Sequence, residues 1–174
     1  MNNTQQQLII RKAQAAEVPV IWAILQDAIA QRKQDGSRQW QDGYPNEATV
    51  KDDIKNDVGY VLVENELILA YAAIIFDIEP AYEVIDGKWL SNGAYAVVHR
   101  VATSKQSKGK GMATTFFKLM EDLCMNKNVF SIKVDTNFDN TPMLKIMDKL
   151  GYTYCGEVYF RGSARRAYEK VLSR

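Results

Sequence analysis

The residues able to do chemistry fall in one run, Val97-Val98-His99-Arg100-Val101-Ala102-Thr103, followed by Ser104 to Ser107 and then Lys108-Gly109-Lys110-Gly111-Met112-Ala113-Thr114. Its β-branched start reads as a strand entering a glycine-containing loop that opens directly into an amphipathic helix. Glycines let backbone N–H groups approach an anion closely, and a helix start adds N–H groups without intrahelical partners and the positive end of a dipole. Lys105, Lys108 and Lys110 set three cations beside this cradle, which suits a pyrophosphate or an added phosphomonoester. Two glycines among lysines also occur in ordinary surface loops, so the loop alone leaves both readings open. Two nucleotide motifs are excluded. Neither Gly109 nor Gly111 leads to a Lys followed by Ser or Thr at P-loop spacing, and Thr114 stands where the third glycine of a dinucleotide fingerprint belongs.

The elements that must position this run are legible in the periodicity. Asn2 to Gln7 are amide-rich and expected to fray, and Leu8-Ile9-Ile10 begin a strand. Glu17 and Pro19 open a helix whose Ile21, Ile24, Leu25, Ala28 and Ile29 share one face. Gln34 to Pro45 forms a loop carrying Trp40 and Tyr44, and a short helix from Asn46 repeats Val50, Ile54 and Val58. Tyr60 to Val63 and Leu67 to Phe76 form a hairpin about Glu64-Asn65-Glu66. Asp77 to Gly93 reads as a loop or short extension, and Ala94 to Ala102 as a strand. A helix through Met112, Phe116, Leu119, Met120 and Leu123 follows, then a strand from Phe130 to Val134. Asn140, Thr141 and Pro142 start a helix whose Met143, Leu144, Met147 and Leu150 form an apolar face ended by Gly151. Tyr152 to Tyr159 and Ala167 to Leu172 are the last strands. This order predicts one domain over residues 1–174, an α/β or α+β layer with a mixed sheet.

Composition narrows the function classes. Among 174 residues, 22 Lys and Arg against 21 Asp and Glu leave a formal charge of +1, without the basic excess of a nucleic-acid or anionic-membrane binder. One histidine, His99, and two cysteines, Cys124 and Cys155, provide neither a zinc cluster nor a disulfide framework, so no metal is expected and a reducing, cytoplasmic setting is. No stretch approaches the ~18 apolar residues of a spanning helix, and Met1 to Gln7 is polar rather than an export signal.

The cradle resembles the signature of the GNAT family of N-acetyltransferases, [QR]-x-x-G-x-[GA] between a central strand and the following helix. Gln106-x-x-Gly109-x-Gly111 fits the letters, whereas Lys108-x-x-Gly111-x-Ala113 replaces the first residue by Lys. Family spacing counted from Thr103 reaches Gly111 and favours the Lys108 register. Downstream, Asn140-Thr-Pro-Met143-Leu-Lys-Ile146-Met147-Asp-Lys149-Leu150-Gly151-Tyr152 resembles the family pattern N-x-x-[AM]-x-x-[LI]-Y-x-[KR]-[LM]-G-[FY] at every element except Met147. Element order agrees over nearly the whole chain.

The resemblance implies a mixed, mostly antiparallel sheet with helices on both faces and a splayed central strand pair. It implies acetyl-CoA as cosubstrate, with Val101, Ala102 and Thr103 pairing with pantetheine and Lys108, Gly109, Lys110, Gly111, Met112, Ala113 and Thr114 wrapping the pyrophosphate. Asn140 matches an asparagine that contacts the cofactor arm, and it is also suited to capping a helix. A backbone N–H near Val101 would stabilise the oxyanion formed when an amine attacks the thioester. Met147 stands where the family often has a proton-donating tyrosine; methionine cannot donate, so the acid is another residue, water or no residue at all, and a thiolate of pKa about 8.5 can leave unaided.

His99 is the first candidate base, since histidine titrates near neutrality and this one lies beside the expected acetyl site, on the strand face that alternation assigns to Val97 and Val101. A structural histidine is the competing reading. Asp135, at a strand end, is the alternative base, its bland counterpart a solvated turn carboxylate. Trp40 and Tyr44 are the candidate acceptor-pocket residues, with Tyr82 and Trp89 as further loop aromatics. Cys124 and Cys155 read as packing residues. The reaction implied is direct attack in a ternary complex by the primary amine of a small molecule or amino-acid-like compound; a protein N-terminus or lysine, and a non-catalytic acyl-CoA sensor, are the rivals. Family members often pair, so a homodimer is a partner the resemblance allows.

Overall fold

The structure, a computed structural model, describes residues 7–173; residues 1–6, most of the leader expected to fray, lie outside the described residues. The elements in order are β1 (Leu8–Lys12), α1 (Val18–Gln34), α2 (Glu47–Lys55), β2 (Gly59–Glu64), β3 (Leu67–Ile75), α3 (Pro80–Glu83), β4 (Asp86–Gly87), β5 (Ala96–Thr103), α4 (Met112–Asn126), β6 (Ser131–Thr136), α5 (Thr141–Lys149), β7 (Thr153–Phe160) and β8 (Ser163–Val171). Among the described residues the strands form one sheet in the order β1-β2-β3-β5-β6-β8-β7-β4. The β5–β6 pair is parallel and the others are antiparallel.

Apolar residues sort to the two faces by strand alternation. One face carries Leu62, Ala72, Ile74, Val98, Ile132, Val134 and Tyr168 against Phe116, Phe117, Met120 and Cys124 of α4 and Met147 and Leu150 of α5. On the other, Val61, Val63, Tyr71 and Ala102 pack on Ile21, Ile24 and Leu25 of α1 and Val50 of α2. That second face also holds a smaller cluster of Tyr82, Tyr95, Val97, Val158 and Ala167. The helix starts are those of the sequence: the Asn46 side chain accepts from the Thr49 N–H at 3.0 Å and the Thr49 hydroxyl accepts from the Asn46 N–H at 3.2 Å, a reciprocal cap. Gly151 ends α5 at φ 79°, which glycine adopts without steric cost.

The segment 77–93, expected as a loop or extension, contains α3 and β4. Both are shorter than one period of any hydrophobic pattern, so tertiary contacts define them. Gly87 and Gly156 face each other so closely that a Cβ on either would lie 2.1 or 2.2 Å from a partner carbonyl oxygen. The buried Glu169 carboxylate accepts from the Leu90 N–H at 2.6 Å and the Ser131 hydroxyl at 2.7 Å, and also from Ser91. These bonds fasten the segment across the second face, where it closes one side of the site.

Candidate active site

The site is opened by two departures from regular sheet. First, the β5–β6 ladder stops at Val98↔Val134 although the strands run on to Thr103 and Thr136, so they part beyond that point. Second, β5 advances from His99 to Ala102 while β3 advances only from Ala73 to Tyr71. The extra residue is a bulge at Arg100, whose φ is 57°.

The bulge corrects one expectation. Val97 packs with Tyr82 and His99 stacks near the same ring at 6.2 Å, but Val101 packs against the α4–α5 core. The inserted residue reverses alternation, so His99 shares its face with Val97 and not with Val101. Arg100 is held by charge: its Nε and one terminal nitrogen donate to Asp53 of α2 at 3.0 and 2.6 Å, and its other terminal nitrogen to the Tyr44 hydroxyl at 2.5 Å. Tyr71 donates to Asp53 as well, at 2.5 Å. Asp53→Asn removes the charge beneath a buried guanidinium and is expected to cost about 1.5–3 kcal/mol in urea unfolding.

His99 lies between two carboxylates. Its Nε2 is 3.5 Å from Glu79 and its Nδ1 3.5 Å from Asp135, at the long end of hydrogen-bond range. Glu79 caps α3 by accepting from the Ala81 N–H, and the nearby imidazole holds its carboxyl below the ordinary carboxylate range. Asp135 is a correction to the solvated-turn reading: it is buried and accepts from the Tyr82 hydroxyl at 2.6 Å. Burial pushes its carboxyl up, against the opposing pull of His99, Tyr82 and Arg165. A carboxyl raised in the folded state binds its proton more tightly there, so its contribution to stability falls as pH rises from the unfolded value of about 3.9 through the folded one. Urea titrations across that interval should show a fall in stability for the native protein that Asp135→Asn flattens.

Two cavities meet at this point. One, about 250 Å³, is lined by Trp40, Tyr44, Glu79, His99, Arg100, Asp135, Phe160, Arg161 and Arg165, among others. The second, about 520 Å³, runs along Ala28, Val101, Ala102, Thr103, Lys105, Lys108, Ala113, Pro142 and Ile146. Trp40, Val101, Asn140 and Met143 line both. Of the residues expected around the cofactor, Val101, Ala102, Thr103, Lys108, Ala113 and Asn140 therefore lie on one groove. Gly109, Lys110, Gly111, Met112 and Thr114 are not on its walls; the Met112 side chain packs against the core. Gly109 and Gly111 have φ of 76° and 70°, and a Cβ on either would meet nothing within 4 Å. Gly111 directly precedes α4, with no side-chain cap on that helix. Lys108 donates to Gln31 at 2.9 Å and Lys105 is 3.3 Å from Asp27, so the loop's cations reach α1 across the groove. Asn140 is a cap and more: its carbonyl accepts from the Met143 N–H at 3.3 Å and from Arg32 at 2.8 Å, and its amide donates to Gln39 at 3.0 Å.

Met147 is fully buried in the α4–α5 core. Tyr82, expected in a loop, is fully buried in α3 against Trp89 at 5.1 Å, so neither it nor Met147 is an open pocket wall. Cys124 and Cys155 are buried, and burial pushes the Cys124 thiol up to about 12, which suits packing rather than nucleophilic attack. Sequence reasoning missed Glu79, the Arg100–Asp53 pair, Arg161 and Arg165.

The Acetyltransferase (GNAT) family model matches residues 22–152. The chain belongs to the GNAT family of acetyltransferases. A GNAT-family acetyltransferase of Streptococcus agalactiae is 38% identical, with 99% of this chain and 100% of that chain covered and a TM-score of 0.88. A Staphylococcus aureus Mu50 protein provisionally named an acetyltransferase is 27% identical over 95% of this chain and 99% of its own, with a TM-score of 0.71. A GNAT-family acetyltransferase of Listeria monocytogenes shares the fold at 17% identity over 99% of each chain, with a TM-score of 0.76. No curated protein matches the sequence significantly. The GNAT assignment makes this protein an acyltransferase enzyme with the mixed sheet expected from its sequence. Among the described residues no helix is long and apolar enough to cross a membrane.

Proposed function

We propose that the chain is a single catalytic domain that moves the acetyl group of acetyl-CoA to the primary amine of a small molecule, by direct attack in a ternary complex. The observation that carries this reading is the meeting of the groove along Val101–Thr103 with the His99 cavity, beyond the point where β5 and β6 part. The groove residues fit the cosubstrate: the β5 edge facing β6 has no strand partner there, so its amides suit a pantetheine arm, and the open glycine positions with Lys105 and Lys108 suit a pyrophosphate. When bound, acetyl-CoA supplies an activated thioester carbonyl.

The chain's own residues do the rest. Glu79 and Asp135 draw a cationic amine toward His99. His99 takes the proton from the amine, and the imidazolium that results lies between the two carboxylates, which stabilise it. With acetyl-CoA bound, a backbone N–H near Val101 would stabilise the charge that develops on the thioester carbonyl oxygen. Met147, in the core, donates nothing, and a thiolate leaving group of pKa about 8.5 can depart at modest rates without a proton donor. A cavity of about 250 Å³ supports a small acceptor over a folded protein surface. Two buried free thiols are in keeping with a cytoplasmic setting. Initial rates measured over both substrates test the order of events: intersecting double-reciprocal lines are expected, and parallel lines, the mark of a covalent acyl-enzyme, would overturn direct attack.

A further inference from the structure

Charges of both signs line the acceptor cavity. Glu79 and Asp135 lie about His99. Arg165 and Arg161 line the same cavity, from β8 and the β7–β8 turn, and Arg165 is near enough to Asp135 to pull on its carboxyl. Register fixes this arrangement. Asp135 pairs with Ala167, so the two share a face, and Arg165, two residues from Ala167, shares it too. Thr136, the last residue of β6, pairs with Arg166, which puts Arg165 just past the end of that strand. The Phe160 ring meets the His99 ring edge-to-face at 5.8 Å.

Among the described residues, neither arginine makes a bidentate carboxylate bond of the kind that holds Arg100. Arg100 is spent on a bidentate bond to buried Asp53. Arg165 donates to an uncharged hydroxyl, Ser163, at 2.7 Å, and its charge also acts on the Asp135 carboxyl. Arg161 meets Asp42 at 3.5 Å, with side chains 51% and 58% exposed, a contact too wet and too long to quench its charge. Its guanidinium rests 4.3 Å from the centre of the Tyr44 ring, which holds the fork in place before any ligand arrives.

We propose that the acceptor is a primary amine that also carries an oxyanion, a carboxylate or a phosphonate, held with its amine toward His99 and its oxyanion between Arg161 and Arg165. This rests on the acetyltransferase reading given above. An amine without the oxyanion meets Glu79 and Asp135 but leaves both guanidinium forks without a bidentate partner. Bidentate Arg–oxyanion bonds are strong and directional, so they supply both affinity and the orientation that presents the amine.

The test uses matched pairs at saturating acetyl-CoA: L-leucine with isoamylamine, L-phenylalanine with phenethylamine, and 2-aminoethylphosphonate with n-propylamine. CoA release should favour the oxyanion-bearing member of at least one pair by about 100-fold in kcat/KM, and the pair that responds identifies carboxylate or phosphonate as the group recognised. Arg165→Gln and Arg161→Gln should each raise KM for that acceptor by about tenfold or more, with the KM for acetyl-CoA and the unfolding midpoint unchanged. Equal or faster turnover of the plain amines, or Arg variants that slow both members of a pair alike, would overturn the oxyanion site while leaving acetyl transfer standing. Saturable acetyl-CoA binding with no CoA release from any of the six amines would overturn the small-molecule-amine reading and the acceptor class with it.

Discussion

Gly111→Asp is expected to abolish measurable acetyl-CoA binding, a loss of at least about 1,000-fold by isothermal titration, in a protein that still folds. The two halves of that expectation have separate causes. A Cβ at Gly111 meets nothing within 4 Å, and aspartate is among the residues that tolerate a φ near the observed 70°, at a cost of about 1–2 kcal/mol. The fold therefore survives with a lowered midpoint. Binding does not, because the new carboxylate stands at the start of α4, where the helix N–H groups and Lys108 would otherwise meet a pyrophosphate. Gly111→Ala separates the effects: it carries the backbone strain without the charge and should bind within about tenfold of the native protein. Native affinity in the Asp variant would mean that the diphosphate does not lie at this helix start.

His99→Ala should lower kcat by about 10²- to 10⁴-fold, the usual range for losing a positioned base, and leave acetyl-CoA affinity unchanged, since His99 lines the acceptor cavity and not the groove. His99→Gln is the companion variant. Its amide can still donate toward Glu79 or Asp135 but cannot take up a proton, so a structural histidine would be largely rescued by Gln and a base would not. The native pH–rate profile should lose its lower limb in both variants. A kcat within twofold of native with an unaltered profile would move proton removal to Glu79 or Asp135.

Elements with a sustained period were legible in the sequence, and the site's working details were not. The apolar rows of α1, α4 and α5 and the strand runs about Leu62, Ala72 and Val98 announced their own faces, because each buries a continuous stripe. Nothing in His99-Arg100-Val101 announces the bulge: an arginine at positive φ is held by Asp53, 47 residues earlier in the chain, through a contact that exists only once α2 packs on the sheet. The same holds for Glu79, which meets His99 because a four-residue helix is anchored beneath Trp89 and Glu169. Met147 shows two sequence signals in competition. Its place in a family motif set it at the site, its place in the α5 apolar row set it in the core, and burial follows the apolar row. Nothing in the sequence marks Arg161 and Arg165, because the cavity they line is built from distant segments of the chain.

The most direct test of acetyl transfer is to incubate the native protein with acetyl-CoA and the amine panel and to follow, in one reaction, thiol release and N-acetylated product by mass spectrometry. The expected result is release of CoA in one-to-one ratio with an N-acetyl product, dependent on the amine and abolished in Gly111→Asp. Saturable acetyl-CoA binding without CoA release from any amine would contradict it.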